Sequence, residues 1–125
     1  MIYGVGIDIV EVSRIEKAID RWGVRFLERI FTEGEIQYCQ DKARSASRFA
    51  LRFAAKEAFS KALGLGFRDG LRFLDIEVIR VPNERPYLNL HERARELWQS
   101  RDLKNSALSL SDDGLYATAV VVLEV

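Results

Sequence analysis

Two acidic side chains break the pattern of the segments that carry them. In the run Ile2 to Val12, Tyr3, Val5, Ile7 and Ile9 fall on one side of an extended chain, and Gly4, Gly6, Asp8 and Val10 on the other. Aspartate is disfavoured in strands, an ionised carboxylate is costly to bury unpaired, and the two glycines beside Asp8 leave room for a ligand or another backbone to come close. The second is Glu57. At about 100° per residue, Ala50, Ala54, Ala58 and Ala62 form a smooth strip on a long helix, with Phe49 and Phe53 next to it. Glu57 falls on the same arc and Lys61 sits one turn later, while Arg48, Arg52 and Lys56 make a separate basic row. Each break has a plain reading: an exposed Asp on an edge strand, or a helix-stabilising Glu57–Lys61 pair worth about 0.2–0.5 kcal/mol on a surface. Together they suggest more. One carboxylate from a strand and one from a helix can supply the two hard-oxygen ligands of a Mg²⁺ that keeps several waters. Such an ion typically holds a phosphate, which Lys61 would meet as a point charge, so the trio sketches a phosphoryl or pyrophosphate site.

The elements that must position these residues follow from pattern. Ile2–Val12 reads as a strand, rich in Val and Ile and free of Pro. Ser13 stands where an N-cap belongs, ahead of Ile15, Ala18, Ile19 and Trp22 at helical spacing, and Gly23 is the stop. A short apolar piece, Phe26–Phe31, precedes Thr32 and Glu35, which form a capping-box signature. The longest helix is expected from Ser45 or Ser47 to Leu63, stopped by Gly64. Leu74–Val81 reads as a strand, Pro82–Pro86 as a turn and Tyr87–Leu90 as a returning strand, with Asn89 placed to cap a helix over His91–Gln99. The last hairpin runs from Ala107–Ser111 through Asp112-Asp113-Gly114 to Leu115–Val125. The expected fold is α+β, a single domain over 1–125, with an antiparallel sheet packed against a long helix and shorter ones in the order β-α-α-α-β-β-α-β-β. Both faces of Tyr116–Val125 are apolar, so that strand is covered on both sides, by its own helices or by another subunit.

Composition narrows the function classes. Lys+Arg and Asp+Glu are both 19, which speaks against nucleic-acid binding through the overall field. One Cys and one His exclude a disulfide framework within the chain and Cys/His zinc sites. No segment reaches the ~18 apolar residues of a membrane span, and Met1-Ile2-Tyr3-Gly4-Val5 does not open a signal peptide. The expectation is a cytoplasmic protein with no membrane partner. Arg14, Lys17, Arg21 and Arg25, three or four apart, form a basic face that suits an acidic partner, or else a solvated surface. Cys39 reads as a packing thiol, Trp22 and Trp98 as core aromatics, and His91 as a surface residue without catalytic partners.

The same residues carry a family resemblance. Gly6-Ile7-Asp8-Ile9-Val10-Glu11-Val12-Ser13-Arg14-Ile15 resembles the first signature of the holo-acyl-carrier-protein synthases, which are 4′-phosphopantetheinyl transferases. Arg52-Phe53-Ala54-Ala55-Lys56-Glu57-Ala58-Phe59-Ser60-Lys61-Ala62-Leu63-Gly64 resembles the second. The resemblance implies Mg²⁺-dependent transfer (with Mn²⁺ as the alternative ion) of the 4′-phosphopantetheine arm from coenzyme A to a serine of apo-acyl carrier protein. Adenosine 3′,5′-bisphosphate would be released, in the service of fatty acid biosynthesis. Asp8 and Glu57 would ligate the metal, Glu57 would take the serine proton directly or through a water, and Lys61 would stabilise the pyrophosphate. Ser60 and Arg52 would lie near the phosphates, and Asn83, Arg85 and Pro86 would receive the nucleotide end from a neighbouring subunit of a homotrimer. Arg14 and Arg21 would meet the acidic carrier.

The chain departs from the family pattern at Ser109-Leu110-Ser111-Asp112, where the family commonly has Ser-x-Ser-His, and at Glu84, where Gly is frequent. Asp112 would repel the 3′-phosphate that the histidine attracts; Arg48, Arg52 or Arg85 could compensate. Two other readings remain at this level: a non-catalytic coenzyme A or carrier-protein binding module of the same fold, and an unrelated Mg²⁺-phosphate enzyme.

Overall fold

A computed structural model describes the whole chain, Met1–Val125, as an α+β fold built on two small antiparallel sheets. Strand β1 (Ile2–Glu11) is followed by α1 (Val12–Trp22), α2 (Val24–Ile30), α3 (Glu33–Gln40) and the long α4 (Ser45–Leu63). A 3₁₀ turn at Phe73–Asp75 leads into β2 (Ile76–Ile79) and β3 (Tyr87–Leu90), then α5 (Glu92–Ser100), β4 (Asn105–Asp112) and β5 (Tyr116–Glu124). The larger sheet has the order β1-β5-β4 and the smaller pairs β2 with β3.

The centre of the molecule is the contact of α4 with β1 and β5. The alanine strip is buried as its spacing predicts, with Ala54 and Ala58 fully inaccessible. Small residues on the helix face glycines on the strand, so the two backbones come close: a Cβ at Gly6 would collide with the Ala58 carbonyl, and one at Gly4 with that of Ala62. The glycines therefore make room for a backbone, one of the two reasons their presence suggested. Ala117, Ala119, Val121 and Leu123 of β5 pack on the same side, and Phe31, Phe49 and Phe59 close the core.

The other face of the large sheet has no helix over it. Val5 lies opposite Val122 and Ile7 opposite Val120. Ile7 and Ile9 remain 61% and 65% exposed. The chain's own helices thus cover β5 on one face only.

Several boundaries differ from the sequence reading. Phe26–Phe31 lies largely within a separate helix, α2, so four helices, not three, follow β1. Helix α1 begins at Val12 with Glu11 at its N-cap position; Ser13 lies inside the first turn, and its hydroxyl donates to Glu11 Oε2 instead. Leu74 and Asp75 belong to the 3₁₀ turn because Asp75, fully buried, accepts from the Arg72 amide and guanidinium and curls the chain before β2 starts. His91 takes the N-cap position expected for Asn89, which lies within β3 opposite Glu77 with its amide donating to that side chain. Trp22 is 53% exposed, not core, since it ends α1 on the outer side. Against these, the Thr32–Glu35 capping box is present in both its hydrogen bonds, and Gly64 stops α4 in the left-handed conformation.

Candidate functional site

β1 and α4 bring Asp8, Glu57 and Lys61 together. The close approach at Gly6 lays the C-terminal half of α4 along the middle of β1. The Lys61 ammonium donates to Asp8 Oδ1 at 3.0 Å and to the Ile7 carbonyl at 3.0 Å. Thr118 on β5 donates its hydroxyl to the Asp8 carbonyl at 2.9 Å, pinning the strand there. Asp8's side chain is mostly covered while that of Lys61 is half exposed, so the pair sits at a rim open to ligands.

Glu57 is the perturbed acid of the group. Partial burial pushes its carboxyl above the ordinary glutamate value, the negative charge of Asp8 pushes it further, and Lys61 and Arg14 pull it back. A glutamate whose ionisation is made costlier by burial and by a neighbouring carboxylate, with one ammonium already bound between strand and helix, forms a place that calls for more positive charge. The donor set, two hard carboxylate oxygens, suits Mg²⁺ and not a softer ion. No group of three or more Asp, Glu, His or Cys residues gathers there or elsewhere, so the chain supplies at most two ligands and an ion would complete its shell from water and phosphate oxygens.

Other site residues fall in different places. Ser60 is fully buried and donates its hydroxyl to the Glu57 carbonyl at 2.7 Å, the backbone alternative for a mid-helix serine. Arg52 is 97% buried: Nη1 donates to the Arg48 carbonyl and the guanidinium carbon lies 4.5 Å from the Tyr38 ring. In the single chain both side chains are thus engaged inside the helix packing. Asn83, Arg85 and Pro86 lie on the β2–β3 turn, where Asn83 adopts φ 66° and the Glu84 amide donates to Val81. No hydrogen bond or ion pair joins this turn to Asp8, Glu57 or Lys61 within the chain. Arg14 and Arg21 are exposed on α1; Arg14 lies close enough to Glu57 for its charge to be felt there, so the basic face borders the carboxylate pair. Asp112 accepts the Gly114 amide at 3.1 Å and so helps fold the β4–β5 turn.

Two clefts, of about 570 and 540 Å³, lie against α2–α3 and between α1 and the start of α4, and neither is lined by Asp8, Glu57 or Lys61. The carboxylate pair is therefore an open surface site in the single chain. A smaller cleft of about 280 Å³ is lined by Trp22, Arg25, Phe26 and Arg29. Sequence reading missed one polar centre altogether, the buried Lys56–Glu35 ion pair at 2.7 Å. The one signal in the chain was Phe53 and Phe59, three residues either side of Lys56 and so beside it on the helix.

Known proteins match the chain over nearly its whole length. Residues 4–121 match the family model of the 4′-phosphopantetheinyl transferase superfamily. Curated relatives named holo-[acyl-carrier-protein] synthase include one from Geobacter sulfurreducens, 49% identical over 99% of this chain and 98% of its own, and one from Koribacter versatilis, 51% identical over 99% of each. Among solved structures, the holo-[acyl-carrier-protein] synthase of Neisseria meningitidis superposes with a TM-score of 0.91 at 33% identity, covering 99% of both chains. That of Helicobacter pylori, in complex with coenzyme A, gives 0.84 at 40% identity over 96% of this chain and 99% of its own. With sequence and fold both matched over nearly the whole chain, it belongs to the holo-[acyl-carrier-protein] synthases, enzymes of the 4′-phosphopantetheinyl transferase superfamily.

Proposed function

We propose that the chain transfers 4′-phosphopantetheine from coenzyme A to a serine of an acidic apo-acyl carrier protein, with Mg²⁺ held by Asp8 and Glu57. The observation that carries this reading is the meeting of Asp8, Glu57 and Lys61 at one rim, the 3.0 Å Lys61–Asp8 bond joining strand to helix. The ion, when bound, supplies charge neutralisation on the pyrophosphate. Asp8 and Glu57 orient the phosphates by fixing where positive charge sits. Glu57, whose proton affinity is raised by burial and by Asp8, takes the proton of the carrier serine. The serine oxygen bonds to the β-phosphorus, and the bond from that phosphorus to the bridging oxygen breaks. Adenosine 3′,5′-bisphosphate leaves, its new charge met by the half-exposed Lys61 ammonium.

Arg14 and Arg21 receive the acidic carrier, and the nearness of Arg14 to Glu57 puts that docking face beside the reacting centre. Trp22, Arg25 and Arg29 extend the same corner. The uncovered Val5, Ile7, Ile9, Val120 and Val122 face supports assembly into a homotrimer, in which Asn83, Arg85 and Pro86 of one subunit complete the open site of the next. The absence of any helix long and apolar enough to cross a membrane fits work in the cytoplasm, in fatty acid biosynthesis.

The test is incubation with coenzyme A, Mg²⁺ and apo-acyl carrier protein, followed by mass spectrometry of the carrier. A phosphopantetheine adduct that disappears with EDTA is expected. Carrier binding without an adduct would instead favour a binding module.

A further inference from the structure

The most deeply buried charges of the chain lie away from the carboxylate pair. Lys56 and Glu35 have fully inaccessible side chains and meet at 2.7 Å. The Lys56 ammonium also donates to the Phe73 carbonyl at 3.0 Å. Glu35 is the hub: Oε1 accepts the Thr32 amide and Oε2 the Val78 amide, both at 2.9 Å. The Thr32 hydroxyl donates to Glu77 Oε2 at 2.7 Å, and Glu77 Oε1 meets His91 Nε2 at 2.9 Å and Asn89 Nδ2 at 3.3 Å. One unbroken polar path runs from α4 through the start of α3 to both strands of the β2–β3 hairpin.

A buried ion pair is a weak source of stability, because apolar side chains of the same volume usually do as well or better. Its specific effect is registry. Apolar surfaces tolerate small slides, whereas donors and acceptors at 2.7–3.0 Å accept a narrow range of positions. Here the registered parts are the α4 segment that carries Glu57, the residue after Lys56, and the hairpin whose turn carries Asn83, Arg85 and Pro86.

We propose that Glu35 and Lys56 are positioning residues that hold the β2–β3 hairpin in register with α4. They thereby set the span, between the nucleotide-receiving turn and the metal carboxylates, over which coenzyme A stretches. The inference rests on the coenzyme A reading given above. In the trimer proposed above it holds whichever subunit's carboxylates the turn faces, since the hairpin is registered to α4 and α4 packs on β1 of the large sheet. Slackening this register leaves both ends of the site intact but no longer the right distance apart.

The variants are Lys56→Met, which keeps volume and leaves Glu35 the Thr32 and Val78 amides as donors, Glu35→Gln, and the pair together. In the assembled enzyme, at a temperature where circular dichroism shows each variant folded, kcat/KM for coenzyme A should fall about ten- to a hundredfold. The Kd of adenosine 3′,5′-bisphosphate, which engages the turn end alone, should stay within about twofold of wild type, and the double variant should be no worse than the worse single one. Glu77→Gln, mostly covered but not fully buried and further along the path, should lose about two- to fivefold and serves if the buried variants do not fold. Wild-type kcat/KM in the folded variants overturns the inference, as does an equal loss of nucleotide affinity, which would mean general damage. A wild-type enzyme that gives no adduct would instead remove the functional reading beneath it.

Discussion

The Lys61 ammonium lies 3.0 Å from Asp8 Oδ1, joining a strand and a helix through two residues 53 positions apart in the chain. Lys61 thereby holds the place of a cation beside Asp8 while Glu57, next to it, carries the cost of a second negative charge. On the proposed reading, a bound cation would free Lys61 to turn toward phosphate. Most of the testable behaviour of the site follows from this three-way balance.

Glu57→Gln should leave the metal-free protein as stable as wild type or slightly more so at neutral pH, because it removes a carboxylate whose ionisation folding disfavours. The same change should abolish the rise in melting temperature on adding Mg²⁺ and lower kcat about 10²–10⁴-fold. Thermal melts with and without the ion, alongside the carrier assay, check both halves.

The pH dependence has a definite sign. Glu57 is raised above its ordinary value of 4.5, so its contribution to stability is fully present below that value and is lost as pH rises through the shifted one. Metal binding requires the carboxylate, so apparent Mg²⁺ affinity should fall as pH drops through the same window, by about tenfold per pH unit once Glu57 is protonated. Titration calorimetry in buffers of different ionisation enthalpy should detect the released proton in wild type and none in Glu57→Gln.

Gly6→Ala tests the backbone contact. The added methyl would meet the Ala58 carbonyl, and because both partners are backbone, relief requires α4 to move from β1. A loss of about 1–3 kcal/mol is expected in denaturant unfolding. The Mg²⁺-induced stabilisation should weaken as well, since the same shift separates Glu57 from Asp8.

Carrier docking and coenzyme A binding should separate by mutation. Arg21→Glu, on the exposed face of α1 with its guanidinium 4.8 Å from the Trp22 ring, should raise the KM for the acidic carrier at least about tenfold and leave that for coenzyme A unchanged. Raising the salt concentration should shrink the difference between the two enzymes.

Asp112→His restores the residue frequent in the family at the start of the last turn. It should lower the KM for coenzyme A, and it should fold, because Asp113 still accepts the Leu115 and Tyr116 amides when the Asp112–Gly114 bond is lost. The stability cost should be about 1 kcal/mol. An unchanged or higher KM would show that this position does not face the nucleotide.

Much of this protein was determined locally and could be read from the chain. The alanine strip of α4, its stop at Gly64, the Thr32–Glu35 box and the alternation of β1 depend on spacing and on the conformational limits of single residues. The oddness of Asp8 and Glu57 was legible for the same reason, since a charge on a packing face contradicts its neighbours. Tertiary structure decided the rest. Gly6 faces a helix backbone and not a ligand, Ser60 and Arg52 turn inward, and Trp22 stays outside. Above all, the capping-box glutamate Glu35 is also the partner of Lys56 across the core. Spacing along a chain reports which side of an element a residue occupies. What stands opposite that side depends on how the elements pack, and a buried charge takes its meaning from that partner alone.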